Sequence, residues 1–292
     1  MPIDRQADRV ILQHPKGSSA EILFYGATVI SWKSGSIANP QSVERLFVSG
    51  KAAVDGSKPV RGGIPVVFPC FGAPTHPEHS KLGQHGFARS ETWTFDSVVM
   101  DNEAGISVKL TLEPKASITA KYEKPFQLAY VVTLAEHQLS TDLHVKNTGL
   151  STSPPLAFQA LFHNYIRANS SEVVVTPLKS LTYYDKTEPN EQLRTKVEER
   201  DLVDVKNFTD FVYQNAPGTY EVTSPTSKVE IKTKNFKDVV VWNPQQEGTK
   251  IGDMEEGGWE KYVCVEPGFV HGFVALPAGE TWIGQQVLTA KL

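Results

Sequence analysis

Two-residue alternation of apolar and polar side chains, repeated along the chain with almost no helical periodicity beside it, limits what this sequence can fold into. In Ile106-Ser107-Val108-Lys109-Leu110-Thr111-Leu112 every second side chain is apolar. Leu139, Thr141, Leu143 and Val145 repeat the pattern against Ser140, Asp142, His144 and Lys146. A strand points successive side chains to opposite faces, so the pattern belongs to sheets with one buried face. Runs at 20–33, 87–99, 126–135, 155–167, 172–184, 228–232, 239–242, 261–266, 269–276 and 281–292 read as further strands. Turn signals such as Asn147-Thr148-Gly149, Ala216-Pro217-Gly218 and Pro277-Ala278-Gly279 separate them. The best helical candidate, 191–201, is charged on nearly all sides and reads equally as a loop. Many short strands joined by frequent turns predict an all-β sandwich or barrel rather than βαβ units.

No composition break, long linker or repeat divides the 292 residues, so one domain spanning 1–292 is expected. The irregular stretches are 50–86 and 243–259, and long loops in a compact β domain tend to carry function. A net charge of −4 without basic runs argues against nucleic acid or an anionic membrane as partner, while a local cationic pocket for one small anion stays open. Nothing in the pattern suggests a self-association surface, and a monomer is expected. Cys70 and Cys264 belong to no C-x-x-C or Cys/His pattern. The opening MPIDRQADRV carries charge where a signal peptide needs an apolar core, and no run is long enough for a membrane span. A cytoplasmic protein with reduced thiols is therefore expected.

Several chemistries lack their signatures. There is no G-x-x-x-x-G-K-[ST], no G-x-G-x-x-G after a strand, and no G-x-S-x-G elbow. His76-Pro77-Glu78-His79, with His85 nearby, contains metal-ligand types, but a Pro-rich loop offers no scaffold to fix their spacing. It reads as a solvated loop, and no metal is expected.

His163 lies in the apolar and aromatic run 158–167, where an imidazole is either a satisfied core residue or a general acid. In Tyr262-Val263-Cys264-Val265-Glu266-Pro267-Gly268, alternation puts Tyr262, Cys264 and Glu266 on one face. Pro267-Gly268 is expected to end that strand, leaving Glu266 at a rim, as an enzyme base or as the partner of a lysine. Arg61-Gly62-Gly63-Ile64-Pro65 and Gln84-His85-Gly86-Phe87-Ala88-Arg89 each place a guanidinium beside flexible backbone. Two arginines can grip a phosphate from two sides; surface salt bridges are the alternative for either one alone.

Taken together, these segments resemble the aldose 1-epimerase superfamily, in its hexose-6-phosphate mutarotase branch. The matching pieces are Tyr25-Gly26-Ala27-Thr28 with Trp32; the run from Asp55 to Pro65; Gln84-His85-Gly86-Phe87-Ala88-Arg89; Leu161-Phe162-His163-Asn164-Tyr165; Val240-Val241-Trp242-Asn243-Pro244; and Cys264-Val265-Glu266-Pro267-Gly268. Any one is weak; six in this order are specific. The resemblance implies a large antiparallel β-sandwich, the galactose-mutarotase-like supersandwich. It implies His163 as general acid and Glu266 as general base. Arg61, Gln84 and Arg89 then bind substrate and phosphate, Asp210 binds sugar hydroxyls, and His85 lies near the sugar ring.

Anomers interconvert by ring opening, rotation about C1–C2 and closure on the other face. One base and one acid suffice, and no cofactor is needed. A free glutamate titrates at about 4.3 and a histidine at about 6.5. Near neutral pH Glu266 is thus expected to be ionised, with His163 needing a nearby carboxylate or the bound phosphate to hold its proton. The alternatives are a non-catalytic sugar-phosphate-binding regulator and a glycoside-cleaving enzyme of related fold.

Overall fold

The computed structural model describes residues 2–36 and 39–291. Met1, Ile37, Ala38 and Leu292, which fall within the single unit and the final strand read from the sequence, lie outside the described residues.

Every strand ladder among the described residues is antiparallel. A five-stranded meander opens the chain: Ile3–Arg5, Arg9–Gln13, Ser19–Leu23, Val29–Ser36 and Asn39–Glu44. A nine-stranded sheet runs from Val203–Asp204 through Val174–Thr176, Thr219–Ser224, Ser227–Lys234, Thr281–Lys291, Gln138–Asn147, Phe126–Leu134 and Gly105–Leu112 to Thr94–Asn102. An eight-stranded sheet orders Thr195–Val197, Thr182–Asp185, Thr209–Tyr213, Asp238–Asn243, Tyr262–Leu276, Leu156–Phe162 and Val66–Val67, with Tyr165–Arg167 paired to the first part of Tyr262–Leu276.

The two larger sheets face each other across one apolar core. Val108, Leu110, Tyr130 and Leu143 meet Phe158, Phe162, Val239, Val241, Val263 and Val265 there. Tyr130 lies 5.8 Å from Phe162 between ring centroids, and Phe158 lies 5.4 Å from Trp282. Side chains of this kind each stabilise the fold by about 1.5–3 kcal/mol on full burial. The meander adds Val10, Leu12, Ile22 and Trp32 to the same core. This is the expected all-β supersandwich, and no helix of the described residues is long and apolar enough to cross a membrane.

The runs predicted from alternation are strands, with instructive breaks. Run 20–33 folds back at Gly26 and Ala27, both at positive φ, giving two strands. Run 87–99 starts as a 3-10 turn, Ala88–Ser90, and becomes a strand only at Thr94. Run 172–184 splits between the two large sheets. Segment 191–201 is neither a helix nor a plain loop: a 3-10 turn, Glu191–Leu193, leads into the edge strand Thr195–Val197.

Two expectations are corrected. Pro267-Gly268 does not end a strand; Tyr262–Leu276 runs unbroken through it. Pairing on both sides carries the ladder past, with Val239 opposite Pro267 and Leu161 opposite Gly268. A Cβ on Gly268 would stand 2.9 Å from that of Leu161, so the missing side chain permits this close approach. Glu266 is consequently mid-strand and 1% exposed, not at a rim. Nor is the His76–His79 loop simply solvated. His79 is fully buried, its Nε2 3.1 Å from the Ala157 carbonyl and its ring against Tyr122 and Phe273. His76 Nδ1 accepts from the Glu78 amide.

Candidate active site

Strand register builds the site on the outer face of the eight-stranded sheet, away from the shared core. Side chains directly opposite in an antiparallel pair share a face. Asp210 stands opposite Trp242, Trp242 opposite Cys264, and Cys264 opposite Tyr165. In the adjacent row Val212 stands opposite Val240, and Val240 opposite Glu266. Val263 and Val265 point the other way, into the core, as the alternation predicts.

His163 enters at a deliberate interruption. The run 155–167 breaks at His163-Asn164, between Leu156–Phe162 and Tyr165–Arg167. Asn164, fully buried, donates to the Val265 carbonyl (2.9 Å) and exchanges paired amide hydrogen bonds with Gln286 of the facing sheet. One side chain thereby positions both the His163 turn and the strand that carries Glu266. Tyr165 stacks on the His163 ring with centroids 4.7 Å apart and planes 8° from parallel, and Trp242 meets that ring edge-on.

A cleft of about 110 Å³ opens over these groups, lined by Arg61, Phe71, Gln84, His85, His163, Lys186, Asp210, Val240, Trp242 and Glu266. The structure thus brings six of the seven site residues expected from the sequence to one surface. The seventh, Arg89, lies just behind it: Nη2 donates to the Gln84 carbonyl, while its buried Nε has no partner among the described residues. Arg61 is held on two sides, donating to Asp253 Oδ1 (2.9 Å) and to the Tyr165 hydroxyl (3.1 Å). Glycines let these arginine loops approach. At Gly63 (φ 67°) a Cβ would overlap the Val29 carbonyl, and at Gly86 (φ 69°) that of Phe68.

Three polar partners carried no expectation from sequence. Lys186 pairs with Asp210 at 2.9 Å and lies over the Phe71 ring. Asp253 anchors Arg61, and Tyr165 links Arg61 to His163. Tyr165 was within a matching segment, but Lys186 and Asp253 have no local signal at all.

His163 Nδ1 and Glu266 Oε1 stand 3.3 Å apart. The angle does not make a hydrogen bond, and Nδ1 and Glu266 Oε2 have no other partner among the described residues. Burial pushes Glu266 well above the usual carboxylate range, with Asp210 adding to the rise against Lys186 and Arg89. Burial likewise pushes His163 well below the usual imidazole range, helped by His85, Arg89 and Arg61. Burial therefore disfavours the charged form of both groups, the carboxylate of Glu266 and the imidazolium of His163. Both shifts run against the expected ionised base and protonated acid, because loss of solvent outweighs a contact that is close but poorly aligned. His85 is lowered by burial and the same cations, and Asp210 is raised by burial despite Lys186.

The linkage gives a testable sign. Between the unfolded carboxyl's value and its raised folded value, the folded chain keeps a proton on Glu266 that the unfolded chain has released. Stability attributable to this group therefore falls as pH rises through that window. Glu266→Gln should melt at a higher temperature than the parent at pH 8, with the gap shrinking towards pH 4. A gap independent of pH would show that the carboxyl is not held protonated.

The antiparallel supersandwich is shared with the crystal structure of a "galactose mutarotase-like protein" from Lactobacillus casei, with a TM-score of 0.71 at 19% identity, covering 97% of this chain and 100% of that one. The crystal structure of a "putative mutarotase" from Salmonella typhimurium matches it with a TM-score of 0.84 at 20% identity, covering 99% of this chain and 92% of that one. The aldose 1-epimerase family profile matches residues 8–289, and the chain belongs to that family. It is an isomerase whose substrate is a small sugar. A protein named "Putative glucose-6-phosphate 1-epimerase" from Cenchrus ciliaris is 30% identical over 292 residues, covering 97% of this chain and 84% of that one. A protein of the same name from Escherichia coli strain K12 is 25% identical over 271 residues, covering 90% and 84%.

Proposed function

We propose that the cleft interconverts the α and β anomers of a hexose 6-phosphate, with glucose 6-phosphate as the reference substrate, using His163 and Glu266 to move protons. The observation that carries the chemistry is the 3.3 Å approach of those two side chains at the floor of a polar cleft. The phosphate is supported by the two guanidiniums. Burial and Arg61 lower Arg89 below the usual guanidinium range, whereas Tyr165 and Asp253 hold Arg61 above it, and Arg89 Nε is buried without a partner among the described residues. A dianion beside Arg89 would offset that cost and give its Nε a partner, with Arg61 as the second guanidinium.

In the reaction Glu266 takes the proton from the C1 hydroxyl while His163 gives one to the ring oxygen. The C1–O5 bonding pair moves to oxygen as the C1=O double bond forms. Rotation about C1–C2 exposes the other carbonyl face, and the same two protons return on closure. Burial works against this proton placement, and the substrate works for it. The phosphate offsets Arg61 and Arg89, which depress His163, so its imidazolium becomes affordable beside an ionised Glu266. Asp210, held by Lys186, and Gln84 face the sugar hydroxyls; Trp242 and Phe71 supply apolar walls.

Cytoplasmic placement accords with two buried free thiols, Cys70 and Cys264. The test is anomer exchange by NMR magnetisation transfer with glucose 6-phosphate, glucose and galactose in parallel. Exchange far above buffer and strongest on the phosphorylated sugar is expected. Binding of the sugar phosphate without faster exchange would select the regulator reading instead.

A further inference from the structure

Beneath the proton-transfer pair lies a side chain that anomer exchange does not use. Cys264 is two residues before Glu266 on the same strand face, fully buried and a free thiol. A ligand atom from each of His163, Cys264 and Glu266 lies within 4.8 Å of the other two. Ligands at about 2.0–2.3 Å from a tetrahedral zinc ion stand roughly 3.3–3.8 Å apart. The His163 Nδ1 to Glu266 Oε1 separation, 3.3 Å, already has that length. The sulfur, within 4.8 Å of both, has to close by up to about 1.5 Å to reach the same spacing. His163 Nδ1 and Glu266 Oε2 both lack a hydrogen-bond partner among the described residues, although their side chains are 7% and 1% exposed at the residue level.

We propose that His163, Cys264 and Glu266 form a binding site for a borderline-soft divalent ion, zinc or cadmium, and that its occupancy shuts off anomer exchange. One imidazole, one thiolate and one carboxylate are the mixed N, S and O donors that zinc accepts in three-ligand sites with an open fourth position. Hard cations such as magnesium and calcium prefer all-oxygen shells and are excluded by the sulfur. Binding releases the Cys264 thiol proton, together with the carboxyl proton where Glu266 carries it, and takes up the His163 lone pair. No electrons are transferred. The bound ion then occupies the atoms that would exchange protons with the sugar. Its open position faces the cleft that His163 and Glu266 line, so ion and sugar compete for one space. Metal binding stands independently of the mutarotase reading; the inhibition rests on it.

Cobalt(II) is the probe, added to the full-length protein, because thiolate ligation gives a near-ultraviolet charge-transfer band and four-coordination gives strong visible bands. Both are expected in the parent protein and in Cys70→Ala, whose thiol is buried elsewhere. Both should vanish in Cys264→Ala and in Cys264→Ser, the latter keeping the volume without the sulfur. Zinc affinity, read by displacement of cobalt, should fall in these variants by at least the roughly 10–100-fold that losing a mere supporting partner costs. Glucose 6-phosphate should bleach the bands, and zinc should slow exchange in the parent. Absence of a thiolate band, or its persistence without Cys264, overturns the site. Exchange unaffected by saturating zinc overturns the inhibitory role. A protein that binds cobalt through Cys264 but never accelerates anomerisation would instead refute the mutarotase reading alone.

Discussion

Glu266→Gln should lower the rate of anomer exchange by about 10²–10⁴-fold, the range that one positioned acid or base contributes, and His163→Ala should do the same. Glutamine keeps the volume of a side chain that is almost wholly enclosed, so packing is preserved while the ability to take a proton from the C1 hydroxyl is removed. The two losses should not add, since either group alone leaves ring opening without its partner. The double variant should therefore be about as slow as each single one. The same glutamine variant is expected to melt higher than the parent at pH 8, which separates lost chemistry from lost folding. Near-parental turnover in either folded variant would remove that residue from the mechanism.

Arg89→Ala should raise KM for glucose 6-phosphate by roughly 10-fold to 100-fold, because a hydrogen bond to a charged group is worth about 1.5–3 kcal/mol and 1.4 kcal/mol is tenfold. Its effect on free glucose should be slight. Arg61→Ala should show the same preference and also a lower kcat. Arg61 holds the Tyr165 hydroxyl, and Tyr165 stacks on His163, so losing the guanidinium loosens the acid as well as the anion site. Among the described residues Arg89 has no such link; its side chain donates there to the Gln84 carbonyl. Steady-state kinetics on phosphorylated and free hexose in parallel decide the matter. Equal losses on both sugars would mean that the arginines do not read the phosphate.

Much of the fold was legible because it is local. Period-two alternation at 106–112 and 139–145 marks the strands Gly105–Leu112 and Gln138–Asn147, and it places Val263 and Val265 opposite Tyr262, Cys264 and Glu266 without any tertiary knowledge. The segments containing His163, Glu266 and the two arginines could also be picked out, since their residue types are unusual for their surroundings. What could not be picked out is whatever depends on partners distant in sequence. Lys186 meets Asp210, and Asp253 meets Arg61, across 24 and 192 positions respectively, with nothing local to announce either. Pro267-Gly268 carries a strong stop signal by itself, yet neighbouring strands on both sides hold it in the ladder.

By itself, then, the amino-acid order determined strand content, sheet faces and which side chains were available for chemistry, because these follow from backbone geometry and side-chain type within a few residues. Tertiary structure alone decided the row Asp210, Trp242, Cys264, Tyr165, the closeness of His163 to Glu266, and the direction in which burial shifts each. Cross-strand register is set by packing over the whole sheet, and burial is a property of everything around a group. A carboxylate that the Pro267-Gly268 stop signal left at a rim is enclosed by the completed sandwich, and its proton affinity rises because water has been excluded.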